Sequence, residues 1–257
     1  MLDLNKHDDP DNEIYRYFSA DLFTAEMPEN GYLLDSGAGN GAVAFHIARH
    51  KPCRIVCLDQ NQERLDNIEA TRGDLAIETS FGDVNELPYD DGTFDGVYCR
   101  MVLSHQQDWM ATVREMLRVC RPGGPVVFQH ASKDRYEFMH ARSVDDATRK
   151  RVERRAPRPG RTRASHDEIR ALATEAGATV ERLMPLTFFL ATGLAYRARM
   201  TPEEIEQCTK ELRAFLAEPR VYEFARWFER TVVPRLPQEF SEMLFAVLRK
   251  PQTPVGS

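Results

Sequence analysis

Three aspartates stand at intervals that suit ligand binding: Asp35, Asp59 and Asp83. The first ends an apolar run and opens "LLDSGAGNG", where Gly37, Gly39 and Gly41 fall within five positions. Each glycine costs backbone entropy on folding, so the loop implies that something comes very close to bare backbone. The next stretch, "GAVAFHIARH", reads as a helix. A helix N-terminus presents free N–H groups and a partial positive charge, so loop and helix together can cradle a polar ligand. Asp59 ends "RIVCLD", 22 positions after Gly37. A carboxylate at that offset can accept from both hydroxyls of a ribose. Two histidines could move protons. His105 in "MVLSHQQDW" and His130 in "PVVFQH" follow or end predicted strands, and imidazole titrates near neutrality.

These residues need a frame. Short apolar runs alternate with helical patterns: "YLLD", "RIVCLD", "LAIET", "FDGVYCR" and "PVVFQH" are predicted strands, separated by helices such as "QERLDNIEAT" and "DWMATVREMLRVC". Strands without polar alternation imply a parallel sheet covered on both faces, with ligands at the strand C-termini. The regularity ends near residue 131. Over 141–163 there are nine Arg and Lys against three Asp and Glu, with prolines among them. Order resumes at Ser165, which with Glu168 forms a predicted capping box, and at Thr201, an N-cap followed by Pro202 and Glu204. "ATVERLMPL" and "SEMLFAVLRK" are the last predicted strands.

The chain has 257 residues and a formal charge of -6, which disfavours binding nucleic acid or anionic membrane over the whole surface. Five cysteines without a CxxC pair imply a reducing compartment, with Cys57 and Cys99 as buried thiols. There is no apolar signal core or membrane-length run, so a cytoplasmic protein is expected. No metal is expected.

Two cofactor classes fit the glycine loop. Gly37, Gly39 and Ala42 satisfy the dinucleotide pattern G-x-G-x-x-A. Three features favour the other class. Asp35 would oppose a pyrophosphate but suits a cationic amino acid. "FGDVNELPYDDGTFDGVY" carries Gly82-Asp83, Leu87-Pro88 and Phe94-Asp95, and "LRVCRPGG" precedes the fifth strand. From about Tyr32 to His130 the chain thereby resembles the class I S-adenosylmethionine-dependent methyltransferases, particularly those acting on small molecules.

The resemblance implies a Rossmann-like, seven-stranded, mostly parallel α/β sheet with helices on both faces and a helical cap before the last strand. It also implies roles. Gly37, Ala38, Gly39 and Gly41 pass the methionine arm of the cofactor, and Asp35 holds its ammonium. Asp59 binds the ribose, with Gln60 next to it where the family often has an apolar residue. Asp83 and Val84 meet the adenine, and the Arg100 region meets the methionine end. The division expected is an N-terminal lid (1–28), a cofactor core (29–135), a basic insertion (136–164), the end of the core (165–185 and 241–250) and a substrate cap (186–240). Tyr15 and Tyr17 on the lid, His140 in the insertion and Phe188 in the cap are candidate acceptor contacts, and His105 or His130 a candidate base. The expected partner is a small acceptor methylated on nitrogen or oxygen. The alternative is RNA held by the Arg-rich 149–163 segment.

Overall fold

The computed structural model describes residues 11–141, 162–186, 218–240 and 243–252, together with positions 201, 203, 204, 207 and 211. The alternation resolves into α1 (Asp11–Glu26), β1 (Tyr32–Ser36), α2 (Ala42–His50), β2 (Arg54–Asp59), α3 (Gln62–Thr71), β3 (Ile77–Phe81), β4 (Gly96–Cys99), α4 (Trp109–Val119) and β5 (Pro125–Ala131). There follow α5 (Lys133–Ala141), α6 (His166–Glu175), β6 (Thr179–Leu186), α7 (Pro219–Thr231) and β7 (Met243–Arg249). The strands form one seven-stranded sheet in the order β3-β2-β1-β4-β5-β7-β6. The first five are parallel, and β7 runs antiparallel to both neighbours. This is the expected Rossmann-like fold, with α7 in the segment before the last strand.

Both faces of the sheet are covered, which explains the unbroken apolar strands. Leu33 and Leu34 are adjacent and fully buried on opposite faces. Leu33 packs with Phe23 of α1, Phe45 and Ile47 of α2, and Ile68 of α3. Leu34 packs with Val113 and Met116 of α4, and Ile169 and Leu172 of α6. Cys57 and Cys99 are buried free thiols, as their apolar surroundings implied.

Two details differ from the sequence reading. β3 lies two residues later than "LAIET", because Ile77–Phe81 is the stretch that pairs with Ile55–Asp59. Order also continues past residue 131 into α5, whose sequence has little apolar periodicity to announce it. Its start is fixed instead by a local cap and by tertiary contacts. Ser132 Oγ accepts from the Arg135 amide at 3.1 Å, and Asp134 accepts from the His166 amide and ring. The expected capping box forms at Ser165–Glu168, and the expected N-cap Thr201 exchanges reciprocal bonds with Glu204.

Candidate active site

The C-terminal ends of β1 to β4 open on one cavity of about 440 Å³, a size that suits a small-molecule ligand. Strand order gives it two ends. Asp35, Gly37, Arg100, Met101 and Val102 line the β1–β4 end; Asp59, Gln60, Arg64, Gly82 and Val84 line the β2–β3 end.

The glycine loop answers its own question in two ways. Gly37 has φ +81°, and a Cβ there would lie 2.4 Å from Val102 Cγ2. What comes close at Gly37 is the protein itself, the loop after β4 packed against the loop after β1. Gly39 has φ +57°, and a Cβ there would meet nothing within 4 Å. Its open side borders the cavity, so here the missing side chain leaves room for a ligand. Gly41 caps α2 in a left-handed conformation.

The two strand-end aspartates sit in unlike surroundings. Asp59 is 6% exposed, and both of its oxygens are occupied. Oδ2 accepts from the Gly39 amide at 2.8 Å, and Oδ1 from the Asn61 amide at 2.9 Å. The carboxylate thus holds the glycine loop and retains lone pairs toward the cavity. Asp35 is 2% exposed, and among the described residues no backbone amide donates to it. Burial pushes its carboxyl up to about 7. The Tyr98 hydroxyl, close by but without a well-formed hydrogen bond, and the Arg100 cation restrain that rise, whereas the Asp59 charge adds to it.

Of the other expected residues, Ala38, Gln60, Val84, Arg100 and His105 line the cavity. Asp83, between the lining residues Gly82 and Val84, is exposed, and its Oδ1 accepts from the Asn85 amide and side chain, each at 2.9 Å. His105 is exposed at the cavity, in the turn Leu103–His105. His130 is not brought there. Its ring lies on the face that packs against α4, edge-on to Trp109 at 5.0 Å. It is 1% exposed, neither ring nitrogen has a hydrogen-bond partner among the described residues, and burial lowers it to about 3. Tyr15 and Tyr17 fall on α1 and His140 on α5, but their side chains lie outside the described residues, as do Phe188 and the basic run up to residue 161.

The sequence reading passed over Arg64, Met101, Val102 and Gln106, all of which line the cavity. Arg64 had a signal: it lies in the first turn of the helix after β2, and helices after parallel strands start at the ligand crevice. Met101 had none. Its backbone is left-handed, φ +61°, a conformation unusual for a side chain of this kind.

A nucleotide-sized cavity over parallel strand ends, with a glycine loop and successive strand-end carboxylates, defines a Rossmann-like ligand-binding protein. Comparison with known proteins narrows the class. Residues 34–128 match the family model described as "Methyltransferase domain". The glycine/sarcosine/dimethylglycine N-methyltransferase of Actinopolyspora halophila is 36% identical over 100 residues, which is 37% of this chain and 18% of that protein. The norajmaline N-methyltransferase of Rauvolfia serpentina is 36% identical over 107 residues, 40% of this chain and 36% of that one. The chain thus spans well under half the length of these relatives. The crystal structure of an S-adenosylmethionine-dependent methyltransferase from Mesorhizobium loti aligns over 90% of this chain and 96% of that one, with a TM-score of 0.56 and 17% identity, a likeness of fold. Residues 34–128 thus match a methyltransferase domain, within a fold that the chain shares with solved methyltransferases.

Proposed function

We propose that this protein transfers a methyl group from S-adenosylmethionine to a nitrogen or oxygen of a small organic acceptor. The observation that carries it is Asp35: a buried carboxyl at the cavity wall, pushed up to about 7, beside a loop left open at Gly39. Such a group favours a ligand that brings a cation, which a pyrophosphate does not. On this reading Asp35 holds the ammonium of the cofactor and Arg100 borders its amino-acid arm. Asp59 accepts from the ribose hydroxyls, and Val84 and Asp83 meet the adenine. When bound, S-adenosylmethionine supplies an electrophilic methyl carbon on a cationic sulfur.

The chain then has two tasks. It must hold the acceptor atom about 3–3.5 Å from that carbon, and it must take a proton if the acceptor carries one. His105 stands at the cavity and is read as the group for the second task. His130 serves as packing beneath Trp109. The small acceptor is supported by the relatives, whose names state methylation of glycine derivatives and of an alkaloid. Residues 1–28 and 186–240 are read as the lid and cap around it.

The test is a melting series with S-adenosylhomocysteine and NADH. S-adenosylhomocysteine should raise the melting temperature with dose, since a ligand that binds only the folded state stabilises it. A response to NADH alone would overturn the reading. Transfer of labelled methyl to a panel of amines and alcohols would then identify the acceptor.

A further inference from the structure

Arg64 occupies a place that its own helix does not favour. α3 opens on the N-cap Asn61, whose Oδ1 accepts from the Arg64 amide at 3.1 Å. Arg64 is therefore the third helical residue, among N–H groups that carry partial positive charge. Acidic residues are preferred there, and Glu or Gln would complete a reciprocal cap with Asn61. An arginine gains neither effect. A residue that departs from local preference beside a cavity points to a role in that cavity.

The Arg64 side chain is 48% exposed and borders the β2–β3 end of the cavity, and its guanidinium lies 3.9 Å from Asp59 Oδ2. That distance is beyond hydrogen bonding. Asp59 does not depend on it, because the Gly39 and Asn61 amides already serve both oxygens. Arg64 is thus drawn to the ribose carboxylate by charge, without being fixed to it. The same end of the cavity lacks a flat apolar surface. Gln60 is polar, and among the described residues no Phe, Tyr or Trp lines the cavity. A purine placed there would have Val84 for one contact and little for its other face. Guanidinium is planar, weakly hydrated and stacks on aromatic faces.

We propose that Arg64 is a cofactor-binding residue whose guanidinium lies against the adenine ring, as the flat surface that Gln60 does not supply. This rests on the cofactor reading above and adds a residue to it.

The experiment is calorimetric titration of the full chain, R64A and R64K with S-adenosylhomocysteine and with 5′-methylthioadenosine, which keeps base and ribose but lacks the amino-acid arm. Melting of each unliganded variant serves as the folding control. R64A should weaken both ligands about tenfold. R64K should lose about as much, because it restores the charge but not the plane. Neither variant should melt lower than the parent, since the helix gains nothing from this cation. Unchanged or tighter binding by R64A, or parental binding by R64K, would overturn the proposal and leave Arg64 as a counter-charge to Asp59. Failure of the unmodified chain to bind either adenosine ligand would overturn the cofactor reading itself. NADPH is included because an arginine near the ribose can also hold a 2′-phosphate. Binding of NADPH in place of the adenosine ligands would overturn both.

Discussion

Asp35 and Asp59 end neighbouring parallel strands, are both buried, and face the same cavity, yet the chain treats them in opposite ways. Asp59 is satisfied by two amides, one of them from the glycine loop, so its charge is part of the fold. Asp35 is pushed up to about 7 by burial, only partly offset by Tyr98 and Arg100, so its charge works against the fold. His105 and His130 repeat the contrast. One stands exposed at the cavity; the other is sealed under Trp109 and held near 3, too weak a base to take a proton at neutral pH. The lesson is that residue type and strand-end position nominate a group for chemistry, and its immediate donors and burial decide which chemistry.

The contrast can be tested at each pair. The largest effect is expected at His105. If it takes a proton from the acceptor, His105→Ala should lower turnover at saturating cofactor by about 10²–10⁴-fold while melting close to the parent. His130→Ala should do the reverse, lowering the melting temperature through lost packing on Trp109 and sparing turnover. A variant pair that loses turnover equally would break this distinction.

Next comes Asp35→Asn, which should weaken S-adenosylhomocysteine about a hundredfold, as expected for removing one partner of a buried ion pair. Its effect on the unliganded protein should have the opposite sign. A carboxyl raised to about 7 stabilises the fold only while it is protonated, below its unfolded value, and that contribution is lost as pH rises through 7. The asparagine variant should therefore melt higher than the parent at pH 8, with an advantage that shrinks toward pH 5 and vanishes only below about 4, the unfolded carboxylate range. Binding to the parent should weaken as pH falls below 7, by less than tenfold per unit, because the ammonium must then displace a proton. A pH-independent affinity between 5 and 8 would remove Asp35 from the cation site.

Asp59→Ala should weaken the same ligand by about tenfold to a hundredfold, the cost of roughly 1.5–3 kcal/mol for hydrogen bonds to a charged acceptor. Unlike Asp35→Asn it should also lower the melting temperature, since the Gly39 and Asn61 amides lose their acceptor. If both aspartate variants shift melting in the same direction at pH 8, the contrast between them fails.

The smallest effects belong to the glycines. Gly37→Ala adds a left-handed penalty of about 1–2 kcal/mol to an overlap with Val102, itself worth about 1–3 kcal/mol. For a chain of this size that lowers melting by roughly 2–4 °C per kcal/mol. Gly39→Ala carries only the first penalty, but its methyl enters the cavity. It should melt above Gly37→Ala and bind S-adenosylhomocysteine more weakly than its stability implies. Equal melting of the two would show that both glycines answer to the ligand rather than to Val102.

Much of this was legible in the residues themselves. Apolar runs that alternate with 3.6-residue periods prescribe a parallel sheet with two covered faces, because each strand must bury both sides. Glycines behind a strand-end aspartate, and a second aspartate 22 positions after the first glycine, prescribe the crevice, because chain geometry puts successive strand ends side by side. These signals are local or depend on fixed offsets. Tertiary structure alone decided the rest. It placed β7 between β5 and β6, tied the start of α5 to His166 through Asp134, and brought Val102 against Gly37. It also separated Asp35 from Asp59, and His105 from His130. A carboxyl's affinity for its proton depends on the donors and the dielectric around it. Those are supplied by residues distant in sequence, such as Tyr98 and Arg100 for Asp35, so no local pattern could record them.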